Sequence, residues 1–392
     1  MALVNNDVAL GRALPRLYGR QGWRKGEVVA LTPPVAVLRG PQAVAEMRDL
    51  LVELCLRTGQ AGAMDALEIF LNSPSARPKM PYLLLVGLRR TVLPGMVTVD
   101  DLDGAVLIYE YRIAGCGTRV FATDDVVGER TVIAPPSIRM EVAEIAGRTL
   151  VECGATVALI SLEGNGTAPR KFAFEMGPPC RVATRTRSVP RYLPLAATYE
   201  STLATLGDDT RRNFRRYRRR LENDFGAEFV PNVQMNREQF FAMNRASTNP
   251  LSEEVAVWRY ETMAKNTRPV LCGLRDEDGR WLSLLGGFRR GSALHIDWQL
   301  NLSGLPRYSL TTVMRAFLME YEIAQGSSKL VFEGGTPHPM RHSFACVSAM
   351  DVIVLRKSLG AWLLRKLSRW IFPPKNFLGH TLRDEHLRWS EW

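Results

Sequence analysis

A chain of 392 residues is too long for one ordinary core, and about two domains are expected. Its 46% hydrophobic and 23% charged residues match a soluble globular protein, and no run approaches eighteen consecutive apolar residues, which excludes a helical membrane span. The net charge of +11 is unevenly held: residues 1–195 carry 23 Lys and Arg against 19 Asp and Glu, and residues 196–392 carry 28 against 21, so the second half favours an anionic partner.

Residues 1–23 are broken by Asn5, Asn6, Asp7, Arg12, Arg16 and Arg20 and hold no apolar core of a secretory signal. The six cysteines, Cys55, Cys116, Cys153, Cys180, Cys272 and Cys346, are scattered, with no Cys-x-x-Cys pair. Free thiols in a cytoplasmic protein are expected. Helical spacing of Val44, Met47, Leu50, Leu51 and Leu54 predicts a helix over 42–56. A second follows over 61–71, stopped by Asn72-Ser-Pro74. Strand-like runs lie at 81–88, 105–113 and 118–122. Pro135-Pro136-Ser137 opens a helix that stops at Gly154, and 155–162 is a β-rich strand. Pro190 and Pro194 interrupt an extended Arg-rich segment, and the domain boundary is placed there, between 1–195 and 196–392.

The second half repeats this order. Helices are predicted over 237–246 and 253–265, then a hairpin of 269–274 and 281–289 about Asp276-Glu-Asp-Gly279. Strand 293–300, loop 301–308, helix 309–324 and strand 329–333 form a right-handed crossover with parallel strands. A ligand sits where the first strand of such a unit ends and the helix begins, facing free N–H groups and the positive dipole end. Between the halves, Phe214, Tyr217, Leu221 and Phe225 make the apolar stripe of a helix whose remaining surface carries seven arginines between 211 and 220. Arg forks suit phosphate, and ion pairs along the helix do not account for charge of one sign. A cofactor phosphate, RNA or an acidic lipid surface fits, against the plainer reading of a solvated face.

The Leu-rich turn, Thr210-Arg-Arg-Asn-Phe-Arg-Arg-Tyr-Arg-Arg-Arg-Leu221, two helices, a hairpin, and a strand–loop–Ser-helix–strand ending in Glu333-Gly-Gly335 resemble the GNAT acyltransferase superfamily, in its Fem-like, CelD-like (cellulose biosynthesis protein-like) branch. The resemblance is clearest over 196–355. It implies an α/β (α+β) fold of tandem GNAT-like domains, each a mixed, mostly antiparallel twisted sheet flanked by helices with one strand–helix–strand crossover. The first domain is then degenerate, structural or acceptor-binding. The implied reaction is acyl transfer from acetyl-CoA or another acyl-CoA to an amine, in cell-envelope or polysaccharide metabolism, without metal. The glycine-rich CoA loop of the superfamily is replaced by Asn301-Leu-Ser-Gly-Leu-Pro-Arg-Tyr308. Fem-like relatives also lack that loop and some use aminoacyl-tRNA, so that donor stands as the alternative. A non-catalytic RNA- or membrane-surface-binding protein is the rival outside enzymes; DNA is not an expected partner.

On this reading Asp297 is the base. His295, Asp297 and Gln299 share one strand face, a composition unlike plain core, though a buried polar network would also produce it. Glu333 and Tyr308 are the further catalytic candidates, and Leu300, Asn301, Arg307, Ser309, Leu310 and Thr311 would hold the donor. Ser309 reads equally as a simple N-cap. His338 and His342 lack a third ligand and carry no metal expectation. In the first domain Glu110 is the lone carboxylate of strand 105–113, near its end, and a solvated position is expected. The tail 359–371 is amphipathic, with Trp362 and Trp370 on its apolar face. It docks on the second domain or adsorbs to an anionic membrane surface.

Overall fold

The computed structural model describes residues 28–30, 35–60, 70–71, 79–87, 97–113, 115–123, 131–163, 180–265, 268–332, 343–356 and 388–389. Glu333, His338, His342, the tail 359–371 and all but the last two residues of the helix expected over 61–71 lie outside them. The chain divides into two compact units, Met1–Ser188 with Ser348–Trp392, and Val189–Val347.

In the first unit, β1 (Val28–Ala30) and β2 (Val35–Arg39) precede two short helices, α1 (Pro41–Ala45) and α2 (Arg48–Arg57). The single helix expected over 42–56 is therefore broken at Glu46–Met47, although Val44, Leu51 and Leu54 still face one core. Strands β3 (Met80–Val86), β4 (Gly104–Ile113) and β5 (Cys116–Ala122) follow, then the two-residue β6 (Val132–Ile133), α3 (Arg139–Glu152) and β7 (Val157–Glu163). Neighbours β2, β3, β4 and β5 pair antiparallel, whereas β5 and β7 are parallel, as a crossover through α3 requires. Side chains of β2, β3 and β4 alternate between two cores: Val37, Tyr82, Leu84 and Val106 with α3, and Leu38, Leu83, Leu85 and Leu107 with α1 and α2.

The long strand β8 (Cys180–Pro194) leads into the second unit. Here α4 (Tyr199–Ala204) and the arginine helix α5 (Asp208–Phe225) precede β9 (Glu228–Val230), α6 (Arg237–Ala246) and α7 (Glu253–Lys265). Then come β10 (Pro269–Arg275), β11 (Trp281–Arg290), β12 (Ala293–Asn301), α8 (Leu310–Ala324) and β13 (Lys329–Phe332). The run β9–β10–β11–β12 is antiparallel, and β12 and β13 are parallel. Both units thus run strand, two helices, three antiparallel strands, crossover helix and parallel strand, with the helix pair between the first strand and the next. The expected stripe on α5 is real: Phe214 and Leu221 are fully buried in the core of this unit, with Tyr217 and Phe225 partly buried against it.

The parallel strand of each unit is flanked by a strand from elsewhere in the chain. The end of β8, Tyr192–Pro194, pairs antiparallel with β13. After the second unit, β14 (Ala345–Arg356) pairs antiparallel with β7, and β15 (Arg388–Trp389) pairs with Ala183–Thr184 of β8. Residues 348–356 therefore complete the first unit's sheet and do not belong to the second domain expected over 196–392. Ser161 and Asp351 are register partners on β7 and β14, and the fully buried Asp351 carboxylate accepts from Ser161, Arg185 and Arg187. Among the described residues no helix is long and apolar enough to cross a membrane.

Candidate active site

Strand β12 carries the candidate base, and two irregularities isolate that part of it. Its ladder with β13 runs from Ala293–Lys329 to Ile296–Phe332, the last described residue of β13. Its ladder with β11 continues to Asn301, but slips at Gly286/Gly287: Gly286 faces Trp298, Gly287 faces Ile296, and Asp297 is the extra residue of a β-bulge. Bulges of this kind re-aim a side chain next to functional sites. Gly286 is obligatory here, since a Cβ would lie 2.2 Å from the Trp298 ring. Further along, the Asn301 carbonyl accepts from the Thr248 N–H at 2.8 Å, and Ser247 bridges Leu302. Between these limits, Asp297–Leu300 has no strand partner on β13's side among the described residues.

The alternation expected on β12 holds. Leu294, Ile296, Trp298 and Leu300 enter the core, while Asp297, Gln299 and Asn301 are half-buried. His295 departs from the expected polar cleft: it is buried and stacked on Phe288, ring centroids 4.8 Å apart at 10°. Asp297 forms an ion pair with Arg259 of α7, the two side chains 23% and 21% exposed. Gln299 Nε2 donates to Asn301 Oδ1 at 3.0 Å, and Asn301 Nδ2 donates to Thr311 Oγ1 at 2.8 Å. A chain of amides thus links the strand to the start of α8.

The loop between β12 and α8 ends in a single 3₁₀ turn, Pro306–Tyr308, followed by Ser309 in the left-handed region at φ 48°. Ser309 sits at the N-cap position, but its hydroxyl meets Thr312 Oγ1 at 2.9 Å and caps no backbone N–H. The Ser309 carbonyl takes the N–H groups of Thr312 and Val313, and the Ser309 N–H goes to Pro306. Leu310 and Thr311 N–H have no acceptor among the described residues, as the first turn of a helix leaves them. Tyr308 is buried; its hydroxyl donates to Asp224 at 2.9 Å and accepts from Arg307 at 2.6 Å, and its ring packs edge-on to Phe225. Arg220 Nη1 donates to the Arg307 carbonyl at 3.2 Å. The loop is thereby fastened to α5. Asp297 is held by α7 and Tyr308 by α5, and no contact joins the two among the described residues.

Ion pairs do account for part of the arginine helix, contrary to expectation. Arg211 pairs with Asp208, Arg212 with Asp209, Arg215 with Glu200, and Arg218 with both Glu222 and Glu320. The acids at its ends and on neighbouring helices were masked in the sequence by the density of arginine. Arg216, Arg219 and Arg220 have no acidic partner among the described residues. They border an open furrow of about 950 Å³, which reaches Asp224, the residue that holds Tyr308.

Four residues beside β12 and its crossover, Ser247, Trp258, Arg259 and Arg315, were not singled out from the sequence, and they share one property with Gln299. Ser247 Oγ, Trp258 Nε1, Arg259 Nε, Gln299 Oε1, and Arg315 Nε and Nη1 are all sealed from solvent without a hydrogen-bond partner. Such atoms are rare in native proteins and mark places where water or a ligand binds. The one available signal was Arg315, a charge within the apolar run Leu310–Met319.

Glu110 of the first unit is buried, not solvated: it is 5% exposed and accepts from the Tyr82 hydroxyl and the Arg119 N–H, each at 3.1 Å. The cause is a detour of β5, where the register jumps between Glu110–Phe121 and Arg112–Gly117 and Arg119 takes φ 59°. Gly117 leaves room for the carboxylate; a Cβ there would lie 2.4 Å from Glu110 Oε1. Burial, then Glu110, pushes the Tyr82 phenol well above its ordinary value.

No family model matches the sequence, and no curated protein matches it. Among solved structures, the fold is similar to that of FemX (9% identity, 76% of this chain and 92% of that one, TM-score 0.44). It is also similar to the C-terminal domain of a putative lysylphosphatidylglycerol synthetase from Agrobacterium fabrum (9%, 82% and 95%, 0.45). A third is a tandem GNAT protein from the clavulanic acid biosynthesis pathway (11%, 83% and 99%, 0.40).

Proposed function

We propose that the second unit transfers an acyl group from an acyl-CoA to an amine, along the stretch of β12 that begins at Asp297. The observation that carries this reading is the half-buried carboxylate of Asp297 on a bulge, at the head of a strand edge that has no partner among the described residues. The amine nitrogen attacks the thioester carbonyl. A C–N bond forms, the C–S bond breaks, and the nitrogen's proton passes to Asp297. The sulfur departs as a thiolate without a proton donor, since a thiol with a pKa of about 8.5 is a far stronger acid than an amine. Backbone N–H groups on the open edge after Asp297 stabilise the oxyanion, and fixed donors of this kind contribute a large share of acyl-transfer catalysis. The donor's phosphates lie at the Leu310 and Thr311 N–H groups, where a helix start favours anions. Arg307, Asn301 and Ser309 shape that start, and Arg216, Arg219 and Arg220 extend the positive field along the furrow. Tyr308 serves by holding the loop to Asp224.

The exposed Arg216, Arg219 and Arg220, which have no acidic partner among the described residues, favour a second reading of the donor, as an aminoacyl group on tRNA. A thermal-shift panel separates the two. Acetyl- or longer acyl-CoA should raise the melting temperature by ligand linkage, followed by thiol release in the presence of an amine. A shift only with RNA, lost steeply with salt, would replace the first donor by the second. No shift with either would remove the transferase reading.

A further inference from the structure

Arg315 has no evident structural purpose. It lies in the second turn of α8, among the buried Val313, Met314, Ala316 and Met319, and is only 8% exposed. Its Nε and Nη1 are sealed from solvent with no hydrogen-bond partner, and no carboxylate pairs with it among the described residues. Two other buried charges are compensated. Asp351 takes Arg185 and Arg187, and the fully buried Glu322 takes Arg289 and the Ser327 hydroxyl. Arg315 has instead the face of Phe332, 4.8 Å from its ring centroid, and that ring is stacked on Phe344 at 5.2 Å.

Leaving a buried ion without a charge partner is costly, and a cation–π contact offsets only part of that cost. A methionine in this place would pack as well and cost nothing. Burial pushes the Arg315 pKa down to about 10, so it remains a cation at neutral pH. Phe332 is the register partner of Ile296, the last described pair of β12 and β13 and one residue before Asp297. The uncompensated guanidinium therefore stands beside the strand position next to Asp297, a turn inward from the Leu310 and Thr311 N–H groups of α8.

We infer that Arg315 recognises an oxyanion of the substrate, a carboxylate or a phosphate, bound beside Phe332 and the Ile296–Asp297 step of β12. The inference rests on reading that part of β12 as the transfer site. Guanidinium is suited to either group, and the Phe332 face fixes its plane. A carboxylate would belong to an amino-acid-type acceptor, and a phosphate to the donor.

The test uses the full chain with Arg315→Met and Arg315→Lys. Melting temperatures are read with alanine against ethylamine, lysine against 1,5-diaminopentane, inorganic pyrophosphate and CoA. The wild type should be stabilised by at least one oxyanion probe, and the Met variant should bind that probe at least tenfold more weakly. Without ligand, the Met variant should melt at or above the wild type, because an uncompensated charge has gone. Stabilisation by amino acids but not by their decarboxylated counterparts assigns a carboxylate; stabilisation by pyrophosphate and CoA assigns a phosphate. Equal affinity in wild type and variants, no shift with any oxyanion probe, or an unliganded Met variant that melts well below wild type would each overturn the inference. Thiol release from acetyl-CoA is followed separately. Its absence in the wild type, with oxyanion binding still dependent on Arg315, would sink the transferase reading alone.

Discussion

The two units place a carboxylate beside their crossovers, and the two carboxylates have opposite fates. Glu110 is closed in by Tyr82, Arg119 and the missing Cβ of Gly117. Asp297 stands on a bulge at the head of an edge that has no strand partner among the described residues, paired with Arg259 and with part of its surface in solvent. The same order of elements thus yields a sealed group in one unit and an accessible one in the other. What separates them is where the strand irregularity falls. In the first unit it lies in β5 and folds backbone onto Glu110. In the second it lies at Asp297 itself and turns the side chain outward. Chemistry needs a group that can reach substrate, and only the second arrangement leaves one.

The largest expected effect tests that contrast. Asp297→Asn should lower turnover by about 10²–10⁴-fold, the usual contribution of a general base, with acyl-CoA affinity little changed. Glu110→Gln, assayed alongside for turnover and thermal stability, should leave turnover intact. Equal losses of turnover in the two variants would erase the distinction between the units.

Next in size is stability. Asp351→Ala strands Arg185 and Arg187 in the interior of the first unit, and breaking a buried pair in this way costs about 3–5 kcal/mol. Chemical denaturation should show that loss. In the second unit, Arg315→Met removes a buried charge that has no partner, and the same measurement should show no loss. A destabilised Arg315→Met would mean that the two units use buried arginine alike.

Alkaline pH gives a smaller effect with a fixed sign. The Tyr82 phenol is raised above its model-compound value of 10.0 by burial and by Glu110. Below pH 10 both folded and unfolded chains keep the proton, and the stability is fully present. Above pH 10 the unfolded chain loses the proton first, so stability falls as pH rises. Tyr82→Phe should flatten that limb of the stability curve above pH 10. An unchanged slope would show that Glu110 and Tyr82 are not the sealed pair described.

Much of this contrast was legible in the sequence, and the rest was hidden for physical reasons. The doubled order of elements, the parallel pair in each crossover and the apolar stripe of α5 follow from periodicity and turn residues, which are local. The alternation that exposes Asp297 and Gln299 was local too. His295 was not: its stacking on Phe288 depends on the register with β11. Glu110 was misjudged because its burial comes from a detour in a different strand. The arginine pairs with Glu200 and Glu320 join residues 15 and 102 positions apart. Strand β14 could not be assigned from its own apolar run, because a buried strand reads the same in either sheet. Arg259 gave no signal, because α7 has no clean polar face to make it conspicuous.

The smallest effect concerns the two non-glycine residues with positive φ among those described, Arg119 and Ser309, one beside each crossover. A left-handed residue other than glycine costs about 1–2 kcal/mol, and glycine relieves this at an entropic cost of about 0.5–1 kcal/mol. Ser309→Gly should therefore shift stability by less than about 1 kcal/mol, and Arg119→Gly likewise. Their functional readouts should differ. The Leu310 and Thr311 N–H groups stay in place in Ser309→Gly, so acyl-CoA binding should persist, whereas Ser309→Val, which disfavours φ above zero, should tilt the helix start and weaken it. Arg119→Val should disturb only the Glu110 pocket and lower thermal stability with donor binding unchanged. If donor affinity instead followed Arg119 and ignored Ser309, the accessible site would belong to the first unit and the contrast drawn from Glu110 and Asp297 would have to be reversed.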